Sequence, residues 1–277
     1  MSAQVNGGTR AARVEGDELV LLDGPDVGAV LATGADWRRV AAADGERIAA
    51  DGVRLTSLLP APEKIICIGL NYRGHAEETG LGVPEFPTLF AKYSRALLGP
   101  EDDIVLPASS AKVDWEAELG VVVGRAVRNA GEDEAREAIG GYTVVNDISM
   151  RDWQSRTRQW LSGKTFEDST PVGPALVTPD EIDDPDDLRV SCAVDGEVVQ
   201  DSSTADLVFG PAALISYIST IITLVPGDLI VTGTPGGIGA ARKPPRFLAP
   251  GQVVTTTVAQ VGELVNTCVA PAAEGKA

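Results

Sequence analysis

A single histidine, His75, stands in this chain of 277 residues, within Gly69-Leu-Asn-Tyr-Arg-Gly-His-Ala-Glu-Glu78. Any imidazole acid–base step must therefore run through His75. Zinc sites of the His/Cys kind need ligands the chain lacks, because Cys67, Cys192 and Cys268 are single and far apart. A metal site here has to be built almost wholly from oxygen, which selects a hard divalent cation such as Mg2+ or Mn2+. Oxygen donors crowd into Val113-Asp-Trp-Glu-Ala-Glu-Leu-Gly-Val-Val-Val123. As a strand, this segment puts Trp115, Ala117, Leu119 and Val121 on one face and Asp114, Glu116 and Glu118 on the other. The carboxylate face is either solvated, or buried and compensated by a cation or basic group, since crowded carboxylates resist desolvation. Asp147, at the expected end of another strand, is either a third ligand or a turn and N-cap residue. Glu116, Glu118 and Asp147 together would offer three oxygens, with water and substrate completing an octahedral Mg2+ shell.

If 75–78 is a helical turn, His75 and Glu78 share a face. A carboxylate beside an imidazole orients it and raises its basicity, which suits a general base; the alternative is a structural histidine. Glycines 69, 74, 80 and 82 let this segment move as a lid, or only make turns. Arg151 and Gln154 lie one helical turn apart, and Lys164, in Ser162-Gly-Lys-Thr-Phe166, is expected in a loop from which it reaches an anionic ligand. By default each is a surface residue. Thr232-Gly-Thr-Pro-Gly-Gly-Ile-Gly239 follows a strand and offers backbone N–H groups and the Thr234 hydroxyl to a carboxylate or oxyanion, with a plain wide turn as the rival reading. It is neither a P-loop nor GxGxxG, and no GxSxG occurs anywhere in the chain.

These residues need elements to hold them. Leu59-Pro-Ala-Pro62 breaks the pattern and divides a small N-terminal α/β domain, 1–60, from a larger domain, 61–277. In the first, 18–22 and 28–31 read as strands and 36–43 as a helix; residues 1–8 and the tail from about Pro271 are small and polar and are expected to fray. In the second, 64–70, 113–123 and 142–146 are apolar runs, and Asp195-Gly196 joins 189–194 to 197–200 as a hairpin. A helix is expected over 210–224, then a strand over 229–232, and Pro250-Gly251 and Gly262-Glu263 bracket the last two strands. Many strands with few helices predict a β-rich α+β fold. The acidic stretch 180–187 reads as a solvated loop. The net charge of −17 argues against nucleic acid or anionic membrane as partners. An anionic ligand would then need local positive charge. The N-terminus lacks a signal pattern, no apolar run approaches the roughly 20 residues of a membrane span, and the unpaired thiols suit a cytoplasmic chain.

Five segments resemble the fumarylacetoacetate hydrolase superfamily, in its order: Lys64-Ile-Ile-Cys-Ile-Gly-Leu-Asn-Tyr-Arg-Gly-His-Ala-Glu-Glu78, Asp114-Trp-Glu-Ala-Glu-Leu119, Asn146-Asp-Ile-Ser-Met-Arg-Asp152, Gly163-Lys-Thr-Phe166 and Thr232-Gly-Thr-Pro235. The resemblance covers about residues 60–270, and the N-terminal domain is similar to that of bacterial acylpyruvase-like and fumarylpyruvate hydrolase-like members. It implies a mixed β-sandwich or β-roll core, a homodimer, and Mg2+ or Mn2+ on Glu116, Glu118 and Asp147. The family's His–Glu dyad maps onto His75 and Glu78, and its substrate contacts onto Arg151, Gln154, Lys164 and Thr234, with Tyr72 beside them. The implied activity is hydrolysis of a C–C bond in 1,3-dioxo acids such as acylpyruvates or fumarylpyruvate. His75 and Glu78 would activate water, and the cation and Lys164 would stabilise the enolate that departs. The same enolate chemistry serves tautomerisation or decarboxylation of oxaloacetate, and isomerisation or decarboxylation of unsaturated 2-hydroxy dioic acids from aromatic catabolism. A non-catalytic ligand-binding protein is a further alternative. Gly74 and Thr79 depart from the family pattern beside the lid and bear on substrate preference. Arg73 and Arg95 either bind a second substrate carboxylate or are solvated.

Overall fold

β-Branched runs separated by glycine and proline turns make up most of the structure, a computed structural model that describes residues 1–80 and 82–271. The larger sheet has seven strands, in the order Thr88–Lys92, Ile65–Gly69, Leu229–Val231, Ala117–Val123, Ile139–Asn146, Thr170–Val177 and Leu97–Leu98. Ile65–Gly69 runs parallel to Leu229–Val231, and Leu97–Leu98 runs parallel to Thr170–Val177; the other pairings are antiparallel. Its two edge strands are joined only by residues 93–96, so the sheet must curl until its edges approach. A five-stranded sheet, ordered Glu197–Ser203, Arg189–Val194, Val253–Val258, Gly262–Val269 and Ile104–Val105, packs against it. Leu119, Val121 and Val144 of the first sheet share one core with Val190, Cys192, Val254 and Leu264 of the second. This is the expected β-rich α+β architecture.

Both faces of Ala117–Val123 are covered. Leu119, Val121 and Val123 enter the core between the sheets, while Val122 packs with Leu31, Trp37 and Leu58 of the N-terminal unit. Two-sided burial explains why this run is apolar without alternation beyond Leu119. Leu119→Ala is expected to cost about 3 kcal/mol of unfolding free energy by chemical denaturation. A loss below about 1 kcal/mol would show that this face is not closely packed. Helix Pro211–Ile221, which realises the expected 210–224 element in shortened form, adds Leu214, Ile215 and Ile218 to the same core.

The N-terminal sheet corrects two expectations. Residues 2–5 do not fray: Ser2–Val5 pairs with Gly8–Glu15 across Asn6 and Gly7, whose φ values of 51° and 82° suit a two-residue hairpin turn. The buried Ser2 hydroxyl also donates to Leu58 O. Residues 28–31 are not a strand but part of helix Val27–Leu31, where the Asp26 side chain caps Ala29 N–H and Val27, Val30 and Leu31 are buried together. Four apolar residues cannot separate the two periods, and the cap decides. Trp37 Nε1 donates to Gly124 O, so the N-terminal unit is seated directly on the large sheet. The expected fraying beyond Pro271 lies outside the described residues. Among the described residues no helix is long and apolar enough to cross a membrane.

Candidate active site

Strand register brings the site together. Glu118 lies opposite Val145, Gly120 opposite Val231, and Val231 opposite Cys67, so Glu116, Asp147, the 232–239 loop and the segment after Gly69 gather at one end of the sheet. The expected strand over 113–123 is interrupted. Val113–Asp114 leaves the large sheet to pair with Ser149–Met150, and the strand resumes at Ala117. Every residue from Val113 to Val123 is buried, so the solvated-face reading fails. Asn146 Oδ1 accepts from Glu116 N–H at 3.0 Å and Asp147 N–H donates to Glu116 O at 2.8 Å, which locks the first carboxylate to the third. One oxygen each from Glu116, Glu118 and Asp147 lies within 4.8 Å of the others.

Basic groups compensate part of this charge. Lys164 Nζ lies 2.7 Å from both Glu116 Oε2 and Asp147 Oδ2, and Arg151 Nη1 lies 2.6 Å from Glu116 Oε1. Lys92, buried at the end of Thr88–Lys92, bonds Asp147 Oδ1. Burial alone would raise the Glu116 carboxyl, but Lys164 and Arg151 outweigh it and bring its pKa down to about 2. Glu118 goes the other way: burial, then Asp147 and Glu116 beside it, push its carboxyl well above the usual range. Among the described residues no lysine bonds Glu118; its partner is the N–H of Gly233. For Lys164, burial is outweighed by Asp147 and Glu116, and the ammonium is held more firmly than usual. Three buried, convergent carboxylates are a hard-oxygen donor set and fit a small divalent cation.

His75 sits on helix Arg73–Thr79, as the expected turn requires, and its Nδ1 is 3.3 Å from Glu78 Oε2. The other Glu78 oxygen accepts from Gly237 N–H at 3.0 Å, so the pair is tied to the glycine-rich loop. Gly80, in the left-handed region at φ 69°, caps this helix. His75 lines a cavity of about 270 Å3 together with Glu116, Arg151, Gln154, Lys164 and Thr234. Six sequence-nominated residues therefore share one chamber. Ile68, Leu70, Phe90 and Trp160 add an apolar part to its lining. Trp160 lies so close over Gly69 that a Cβ there would meet its ring at 2.2 Å.

Several expectations change. Lys164 is not in a loop but ends the short helix Leu161–Lys164, and Gly163 before it has no space for a Cβ, which would come 2.5 Å from Gln154 N. Three glycine amides of the 232–239 loop are already committed within the protein and are not free for an oxyanion. Gly233, Gly237 and Gly239 donate to Glu118, Glu78 and Asp114. The Thr234 hydroxyl donates to Ala117 O at 3.0 Å and accepts from Gln200 Nε2 at 2.8 Å. Tyr72 is wholly buried, its phenol has no hydrogen-bond partner among the described residues, and it is not among the residues that line the cavity. Arg73 bonds Leu207 O, and Arg95 is exposed beside Glu167, so neither lines the cavity. Lys92 and Gln200 escaped sequence reasoning. A lysine closing Thr-Leu-Phe-Ala-Lys92 was the available signal for the first, since a charge ending an apolar strand needs a partner.

Comparison with known proteins agrees with this geometry. The family model described as fumarylacetoacetate (FAA) hydrolase C-terminal matches residues 64–269. Oxaloacetate tautomerase Fahd2a, mitochondrial, of Rattus norvegicus is 44% identical over 84% of this chain and 74% of its own length. The fumarylacetoacetate hydrolase of Exiguobacterium antarcticum superposes with a TM-score of 0.86 at 31% identity, covering 98% of both chains. The fumarylpyruvate hydrolase of Pseudomonas aeruginosa, solved with Mn2+ and pyruvate, does so with a TM-score of 0.69 at 31% identity, covering 75% of this chain and 90% of that one. The matched span runs from the strand before His75 to the last strand of the second sheet and takes in all the carboxylates, the dyad and Lys164, so the chain belongs to the fumarylacetoacetate hydrolase family.

Proposed function

We propose that this chain interconverts the keto and enol forms of a small 2-oxo acid, oxaloacetate first among them, with a divalent cation at Glu116, Glu118 and Asp147. The observation that carries the reading is His75: Nδ1 is held by Glu78, and the ring opens on a cavity that also holds Lys164 and Arg151. Keto–enol exchange takes a proton from one carbon and returns it to an oxygen, so one imidazole suffices. When bound, the cation supplies Lewis-acid polarisation of the 2-oxo group. The remaining work falls to side chains. Arg151 and Gln154 orient the anion, and His75 takes the C3 proton at Nε2. Glu78 stabilises the imidazolium that results, and the Lys164 ammonium faces the negative charge that develops on oxygen. Relatives about 44% identical carry the name oxaloacetate tautomerase, which supports this choice.

Hydrolysis of an acylpyruvate is the second reading. The same dyad would deprotonate water, and the Pseudomonas aeruginosa neighbour is a fumarylpyruvate hydrolase. An assay with Mn2+ separates the two. Freshly dissolved enol oxaloacetate is expected to lose its enol absorbance without release of CO2, while acetylpyruvate and fumarylpyruvate yield no pyruvate. Pyruvate from either diketo acid, with enol oxaloacetate untouched, would reverse the order.

A further inference from the structure

Asp114 is fully buried and takes four donors. The N–H groups of Trp115 and Gly239 reach Oδ1 at 2.9 and 2.7 Å, and Ala240 N–H and Arg151 Nε reach Oδ2 at 2.9 and 2.8 Å. Gly239 has no room for a side chain, since a Cβ there would lie 2.0 Å from Arg246 O. The carboxylate is thus a fixed post between the loop lining the cavity and Arg151. The rest of the guanidinium is then constrained. Nη1 meets Glu116 Oε1 at 2.6 Å and Gln154 Oε1 at 3.0 Å, while Nη2 is buried without a partner among the described residues. A guanidinium left to itself prefers a two-nitrogen fork on a carboxylate.

We propose that Asp114 is a positioning residue: by anchoring Nε it stops Arg151 from closing a fork on Glu116. That keeps a second guanidinium nitrogen off Glu116 Oε2, which Lys164 already meets at 2.7 Å, so that this oxygen can still face a divalent cation. The inference rests on the cation-site reading of Glu116, Glu118 and Asp147. Asp114 makes no contact with substrate in this scheme; it acts through Arg151.

The test is calorimetric titration of Mn2+, then of oxalate at saturating Mn2+, into the parent, D114N, R151A and D114N/R151A. D114N is nearly isosteric and can still accept from the Trp115 and Gly239 amides, but it withdraws the charge from Arg151. Its Mn2+ affinity is expected to fall about 10-fold or more. R151A should stay within about 3-fold of the parent, and D114N/R151A within about 3-fold of R151A, because the competing guanidinium is gone. Oxalate should bind more weakly in both variants that lack Arg151. A Mn2+ defect in D114N that persists in D114N/R151A, or no defect in D114N, overturns the proposal. If D114N alone does not fold, R151A against D114N/R151A decides: equal Mn2+ affinity supports action through Arg151, and a further loss refutes it. A parent protein that binds no Mn2+ at all would remove the cation reading itself, an outcome distinct from either.

Discussion

In His75→Ala, turnover of oxaloacetate is expected to drop by about 10^3-fold while Mn2+ still binds within about 2-fold of the parent. The two halves of this result follow from separate structures. No second imidazole exists in the chain to take over proton transfer, and the other basic groups in the cavity, Lys164 and Arg151, are held as cations by buried carboxylates. For Lys164, Asp147 and Glu116 overcome the effect of burial and raise its pKa, which favours the ammonium form. The cation centre, by contrast, is assembled by strand ends and does not use helix Arg73–Thr79. Calorimetry and an enol-absorbance assay on the same preparation check both. Loss of Mn2+ binding together with activity would show that His75 is part of the cation centre and sink the division of labour.

Glu118→Gln is expected to weaken Mn2+ binding by about 10^2-fold or more, and activity should go with it. Of the three carboxylates Glu118 is the one without a basic side-chain partner among the described residues, and burial beside Asp147 and Glu116 already disfavours its charge. The amide oxygen of glutamine can still accept from Gly233 N–H, so the loop is retained. Removing a buried charge of this kind should leave thermal stability in the absence of metal unchanged or higher. A melting point below the metal-free parent's would mean that Glu118 holds the fold rather than a cation. Glu116→Gln makes a useful contrast: it takes a carboxylate from Lys164 and Arg151, so destabilisation of the metal-free protein is expected there.

Much of the site is legible in the sequence. The i, i+3 spacing of His75 and Glu78 needed only a turn of helix, and Arg73–Thr79 supplies it. Asp195-Gly196 closes its hairpin with φ values of 53° and 79°, the left-handed pair that this dipeptide favours. Local chemistry carried these, because turns and helix faces are decided within a few residues. The failures had a common cause too. The run over 113–123 looked like one strand because apolar periodicity does not record where a strand changes partner. The break at 115–116 arises from pairing with Ser149–Met150, more than thirty residues away in sequence. The glycine-rich loop reads as an anion cradle because its amides are unassigned in a sequence, whereas Glu118, Glu78 and Asp114 claim those of Gly233, Gly237 and Gly239 in space.

Residue types and spacing were enough to exclude a His/Cys metal site, to require oxygen ligands, and to name the one imidazole. Those conclusions depend on which atoms the chain possesses, and folding cannot alter that. Partnership is another matter. That Asp114 belongs to Arg151 rather than to the cation triad, that Lys92 meets Asp147 across a curled sheet, and that Tyr72 lies outside the cavity were decided only by strand order and curvature. Such contacts join segments whose separation along the chain bears no relation to their distance in space. The lone His75 thus came with its chemistry, and the fold assigned it Glu78, Lys164 and a cavity in which to use it.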